Sequence, residues 1–121
     1  MINLIISEKA SNLLQDKSKK FVKQDKLNDL VLVIYRYFTR SWSGTFCSDV
    51  VQLIEKHKIA KNPHFEKWRE IKVGNTGFEI YIDKNLKNEL ESNSKNIKIN
   101  ARTWKLFGKY RGSFSLEIEK V

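Results

Sequence analysis

Residues Leu30–Phe38 read LVLVIYRYF, a nearly continuous run of β-branched, aromatic and leucine side chains broken once, by Arg36. Such a run fits a pleated strand better than a helix. It is too apolar for a strand with one wet face, so it reads as a central strand covered on both faces for part of its length. The rest of the chain has to be organised around it.

Upstream, Asn3–Ile6 is a short strand and Ser7 an N-cap, with Glu8 in the first turn where a helix dipole favours an anion. Ala10, Leu13 and Leu14 recur at helical spacing, which predicts a helix from about Ser7 to Lys20. The run Lys17, Lys19, Lys20, Lys23 and Lys26 is diluted by Asp16 and Asp25. It reads either as a solvated helix end or as a phosphate-binding patch. Lys23–Asp29 is polar and reads as a loop.

Downstream, Thr39–Cys47 (TRSWSGTFC) reads as a Ser/Gly-rich loop carrying large aromatics. Val50–Ile54 reads as a strand, with helix left open for 50–58. Phe65–Val73 and Phe78–Ile82 flank Gly74-Asn75-Thr76-Gly77, a hairpin signal. Asp83 can cap a short helix, Lys84–Glu91, with Leu86 and Leu90 on one face. Ser92–Asn96 reads as a turn, Ile97 and Ile99 as strand, Trp104–Phe107 as another strand, and Gly108–Gly112 as a loop. Phe114, Leu116 and Ile118 alternate with polar residues, as in an edge strand. The expectation is a single α+β domain over 1–121. It is β-rich, with a mainly antiparallel mixed sheet, an N-terminal helix and a second short helix.

With 121 residues, 40% of them hydrophobic, the chain can bury one core and is not a disordered polymer. A single Cys excludes a disulfide framework and an intrachain Cys-rich zinc or iron–sulfur site. Met1–Ile6 lacks the features of a signal peptide, and no run approaches the ~20 apolar residues of a membrane span. A cytoplasmic location, no membrane association and a reduced Cys47 are expected. The net charge of +9 comes mostly from Lys, whereas base-specific readers lean on Arg.

Four segments occur in a telling order. Leu4-Ile5-Ile6-Ser7-Glu8-Lys9-Ala10 opens the chain. Phe78-Glu79-Ile80-Tyr81-Ile82-Asp83-Lys84, Ile97-Lys98-Ile99 and Gly112-Ser113-Phe114-Ser115-Leu116 follow. Together they resemble the HesB-like fold of the A-type iron–sulfur carrier proteins. That resemblance implies a Cys-bearing loop after the strong strand and a Cys-Gly-Cys segment near the end. Here Trp42-Ser43-Gly44 stands at the first and Gly108-Lys109-Tyr110-Arg111-Gly112 at the second. Trp, Lys and Tyr cannot replace cluster-holding thiolates. The resemblance therefore implies a divergent member with a degenerate site and no resident cofactor. An iron or iron–sulfur cluster fits only if a homodimer shares it through two Cys47 thiolates.

Cys47 reads as a metal ligand, as a reactive thiol or as a small buried hydrophobe. Its only nearby co-ligand types are Asp49, His57 and His64, at no recognised metal spacing. Arg36, Arg40 and Trp42, joined by Tyr110 and Arg111 if the two loops converge as in the carriers, make an Arg/aromatic set. Such a set can stack on bases and neutralise phosphates, bind an acidic protein, or be core aromatics with snorkelling Arg. His57 and His64 read as surface residues. No carboxylate pair, triad or phosphate loop is present in the sequence, so no enzyme is expected, a Cys47 nucleophile being the weakest reading. The primary expectation is a non-enzymatic HesB-like protein with a protein-interaction or weak metal-handling role. The alternative is a small basic nucleic-acid-binding module using the Arg/aromatic loop.

Overall fold

The computed structural model describes residues 2–23, 30–74 and 76–120, and of 20–23, 106, 109 and 110 the backbone alone. The elements run β1 (Asn3–Ile6), α1 (Glu8–Lys23), β2 (Leu30–Ser41), β3 (Gly44–Glu55), α2 (Lys56–Ile59), β4 (Phe65–Val73), β5 (Thr76–Asp83), α3 (Lys84–Asn93), β6 (Ser94–Leu106) and β7 (Lys109–Lys120). The class is α+β, as expected. The strands form two mixed sheets, ordered β1-β6-β7 and β3-β2-β5-β4. In each sheet one neighbouring pair is parallel, β1 with β6 and β2 with β5, and the rest are antiparallel.

β2 is the central strand its sequence demands. Leu32 and Ile34 enter the main core, while Val31 and Val33 enter a second cluster on the opposite face, with Ile59 of α2 and the partly buried Phe65. The main core joins both sheets and two helices. It takes Ala10, Leu13 and Leu14 from α1, Leu86 and Leu90 from α3, Ile80 and Ile82 from β5, and Ile97 and Ile99 from β6.

The helix ends behave as the sequence requires. Ser7 caps α1, its Oγ accepting from the Ala10 amide at 3.1 Å and donating to Asn100 Oδ1 at 2.8 Å. Asp83 Oδ1 accepts from the Asn85 and Leu86 amides at 3.0 and 3.1 Å. The open segment 50–58 divides between both readings: it stays strand to Glu55 and turns helical at Lys56. Three expected irregular segments are regular. Thr39–Cys47 continues the β2–β3 hairpin around a two-residue turn at Trp42-Ser43. Ser92–Asn96 is the end of α3 running straight into β6. Gly108–Gly112 lies almost wholly in β7. In the first and third, cross-strand pairing overrides the local turn chemistry. The expected loop at Lys23–Asp29 falls mainly outside the described residues, as does Asn75 of the predicted turn. The pairing of Val73 with Thr76 nevertheless fixes that hairpin.

Gly112 sits closely under the Leu13 side chain of α1. A Cβ there would stand 2.5 Å from Leu13 Cδ1, so any larger residue forces the Leu13 side chain to move.

Candidate functional site

Two long hairpins extend past the core. In the first, β2 and β3 stay paired from Leu30↔Glu55 to Ser41↔Gly44. Residues 37–48 are all exposed. The Tyr37–Ser41 limb alone reaches about 16 Å, at about 3.3 Å per residue. In the second, β6 and β7 pair out to Leu106↔Lys109, around Phe107 and Gly108. β3 packs against β7, so the hairpins are neighbours.

Arg36 marks the base of the first hairpin. Its Nε donates to Asp49 Oδ1 at 2.9 Å, and its Nη1 to Glu89 Oε2 on α3. The Asp49 hydrogen bond outweighs partial burial and, with Glu89, holds the guanidinium above its ordinary pKa. This residue clips the hairpin to α3, its charge neutralised within the fold. A hollow lined by Arg36, Phe38, Asp83, Asn85, Leu86 and Glu89 lies beside it. Its charged groups are already engaged within the fold: Arg36 by two carboxylates, Asp83 by the first amides of α3.

Beyond that clip the aromatics are wet. Trp42 is fully exposed, and Tyr37, Phe38 and Phe46 are each more than half exposed. They are not core residues, because the strands that carry them have run past the core. Arg40, Ser41 and Trp42 line an open hollow at the tip. Cys47 faces solvent on β3 opposite Phe38, not the interior. Its expected co-ligands are dispersed: Asp49 is held by Arg36, and His57 Nδ1 lies 3.3 Å from Glu55. Among the described residues no group of three or more His, Cys, Asp or Glu side chains is placed to hold a metal ion.

On the second hairpin, Arg111 is exposed and pairs across the strands with Trp104. The Tyr110 side chain lies outside what is described. No hydrogen bond or ion pair among the described residues joins Arg40 or Trp42 to Arg111. Arg40, Arg102 and Arg111 form no ion pair with an acidic side chain among the described residues.

Two features of this hairpin escape a strand-by-strand reading. Trp104 is 43% exposed and Phe107 95% exposed, although both sit in a segment that reads as plain strand. Phe107 also has φ 51°, a left-handed conformation unusual for a bulky residue. The legible signal was charge segregation. Residues 37–48 and 92–116 contain no Asp or Glu, yet the second span holds Lys95, Lys98, Arg102, Lys105, Lys109 and Arg111. All fourteen carboxylates lie elsewhere. Among the described residues, no helix is long and apolar enough to cross a membrane.

No protein-family model matches this chain, and no curated protein and no solved structure is similar to it.

Proposed function

We propose that this chain is a non-enzymatic binding module for nucleic acid, and that the ends of the two hairpins are its binding surface. One observation carries the reading: both ends are free of acidic residues, carry Arg, and expose large aromatic rings to water. Exposing that much ring has a cost that a purely structural hairpin would not bear. Cationic side chains neutralise phosphates and release their counterions, while aromatic faces stack on bases. Arg40 and Trp42 act at the first end, Arg111 and Trp104 at the second, and Arg36 sets the angle of the first without touching ligand. The test is anisotropy of a fluorescein-labelled 12-nucleotide strand at 50 mM salt. Wild type binds, while Arg40→Ala with Trp42→Ala weakens binding at least tenfold and leaves the fold intact. No binding by wild type overturns the reading.

A second reading keeps the HesB-like resemblance: a divergent relative of the iron–sulfur carriers with a protein-interaction role, or with weak metal handling through Cys47. The exposure of Cys47 favours it, since only a surface thiol can meet its counterpart in a second copy. Iron and sulfide analysis of anaerobically purified protein decides it. Iron near half an equivalent per chain, abolished by Cys47→Ser, supports it. A colourless, iron-free protein that stays monomeric removes its metal-handling form.

A further inference from the structure

The body of the three-stranded sheet has one face in the core and one in water, and past its pairing with β1 the β6–β7 pair continues as a two-stranded ribbon. Ile97, Ile99 and Ala101 of β6 point inward and are buried. Alternation sends Lys98, Asn100, Arg102 and Trp104 to the other face. The register β6–β7 places Arg111 directly opposite Trp104, and Ser113 opposite Arg102. Directly opposed residues share a face. One face of the two-stranded ribbon therefore carries an aromatic ring with a guanidinium across from it and another two residues back along the same strand. No helix covers this patch: Arg102, Trp104, Arg111 and Ser113 are all exposed. The nearest carboxylate on this face is Glu117, whose Oε1 accepts from Asn100 Nδ2 at 3.0 Å, toward the body of the sheet. At the distal end Phe107 adds a second exposed ring.

We infer that this face is a stacking platform for single-stranded nucleic acid, with a base lying on Trp104 and the flanking phosphates held by Arg102 and Arg111. The inference rests on the nucleic-acid reading above and sharpens it to one strand state and one face. A base inside a duplex has both of its faces covered by its stacked neighbours, whereas an unpaired strand can lay a base on an open ring. Charge complementarity selects the occupant: the patch is cationic around the ring, and the ligand has to be anionic around a planar group.

The experiment compares a labelled 12-nucleotide oligo(U), the same length of oligo(dT), and a 12-base-pair duplex. The proteins are wild type, Trp104→Ala, Trp104→Phe and Arg102→Ala with Arg111→Ala. The wild type binds both single strands at least tenfold tighter than the duplex. Trp104→Ala loses about 5- to 150-fold on single strands, the range expected for one stacked base. Trp104→Phe restores most of the loss, and duplex affinity is unchanged by either. Equal affinity of wild type for duplex and single strand overturns the inference. So does single-strand binding that survives Trp104→Ala but falls with Trp42→Ala, an outcome that leaves the broader reading standing. A polyglutamate 12-mer that binds as tightly and responds to Trp104 in the same way overturns it in favour of an acidic peptide. No binding to any nucleic acid overturns both. Trp104 is at the surface, so circular dichroism and melting separate loss of binding from loss of fold.

Discussion

Replacing Phe107 with Asn should make the protein more stable, although it removes a large hydrophobic side chain. Phe107 and Gly108 are the two central residues of the β6–β7 turn, and both have positive φ, 51° and 76°. Two positive φ values describe the type I′ turn that right-twisted hairpins prefer, and Asn-Gly is its favoured pair. A bulky L residue in the left-handed region costs about 1–2 kcal/mol, which Asn largely avoids through local hydrogen bonding. The ring is 95% exposed, so its removal sacrifices almost no buried area. The net expectation is a gain of about 0.5–1.5 kcal/mol, or a rise of about 2–6 °C in Tm for a domain of this size. Differential scanning calorimetry reads it directly. Phe107→Ala is the control, because its Cβ retains the steric conflict and should leave Tm nearly unchanged. A Tm for Phe107→Asn at or below wild type refutes the strain argument, as does an equal gain from Phe107→Ala. If the ring is kept for binding, the stabilised variant binds oligonucleotide more weakly.

Gly112→Ala should cost about 1–3 kcal/mol through collision with Leu13. In a Leu13→Ala background the same change should be neutral or favourable, since the colliding atoms are gone; a double-mutant cycle by urea denaturation shows this as coupling of about 1–3 kcal/mol. Trp42→Ala should move stability by no more than about 0.5 kcal/mol, where a core Trp would lose about 3–5 kcal/mol, and chemical denaturation separates the two. Glu79 gives a pH signature. Burial alone would raise its carboxyl, but the Lys56 ammonium, 3.2 and 3.1 Å from its two oxygens, and further hydrogen-bond and charge interactions hold it below the ordinary value. The unfolded chain then binds the proton more readily, so this contribution is complete above the ordinary carboxylate pKa and disappears as pH falls through the lowered one. Urea midpoints between pH 3 and 6 should fall less steeply in Glu79→Gln than in wild type.

The sequence carried most of the architecture, because hydrophobic period and capping act locally. Ser7 and Asp83 cap the helices as their side chains require, and Phe114, Leu116 and Ile118 alternate on an edge strand. It misled wherever partner strands decide. Thr39–Ser41 and Gly44–Cys47 read as loop, yet Arg40↔Thr45 and Ser41↔Gly44 pairing carries the hairpin out to a two-residue turn at Trp42-Ser43. The separation into two sheets depends on β2 pairing with β5 across forty-odd residues, which no window can see. For the candidate site, Arg40, Trp42 and Arg111 were visible as an Arg/aromatic pattern. Arg36 has the same side chain but is spent on Asp49 and Glu89, and only the fold tells them apart. Cys47 reads as either buried or reactive. Its exposure follows from lying past the end of the core, a property of hairpin length rather than of its neighbours. Trp104 was missed because an aromatic in a strand reads as core unless the facing sheet is known.

The central claim is that cationic hairpin ends hold phosphates, and the salt dependence of binding tests it most directly. Single-strand affinity should fall with salt at a log–log slope of about −0.7 per phosphate contacted. Contacts from Arg40, Arg102 and Arg111 alone give a slope of about −2. Arg40→Ala with Arg111→Ala should flatten it by about 1.4 while leaving the melting temperature in place. A wild-type slope near zero, or one that both substitutions leave unchanged, would contradict the account.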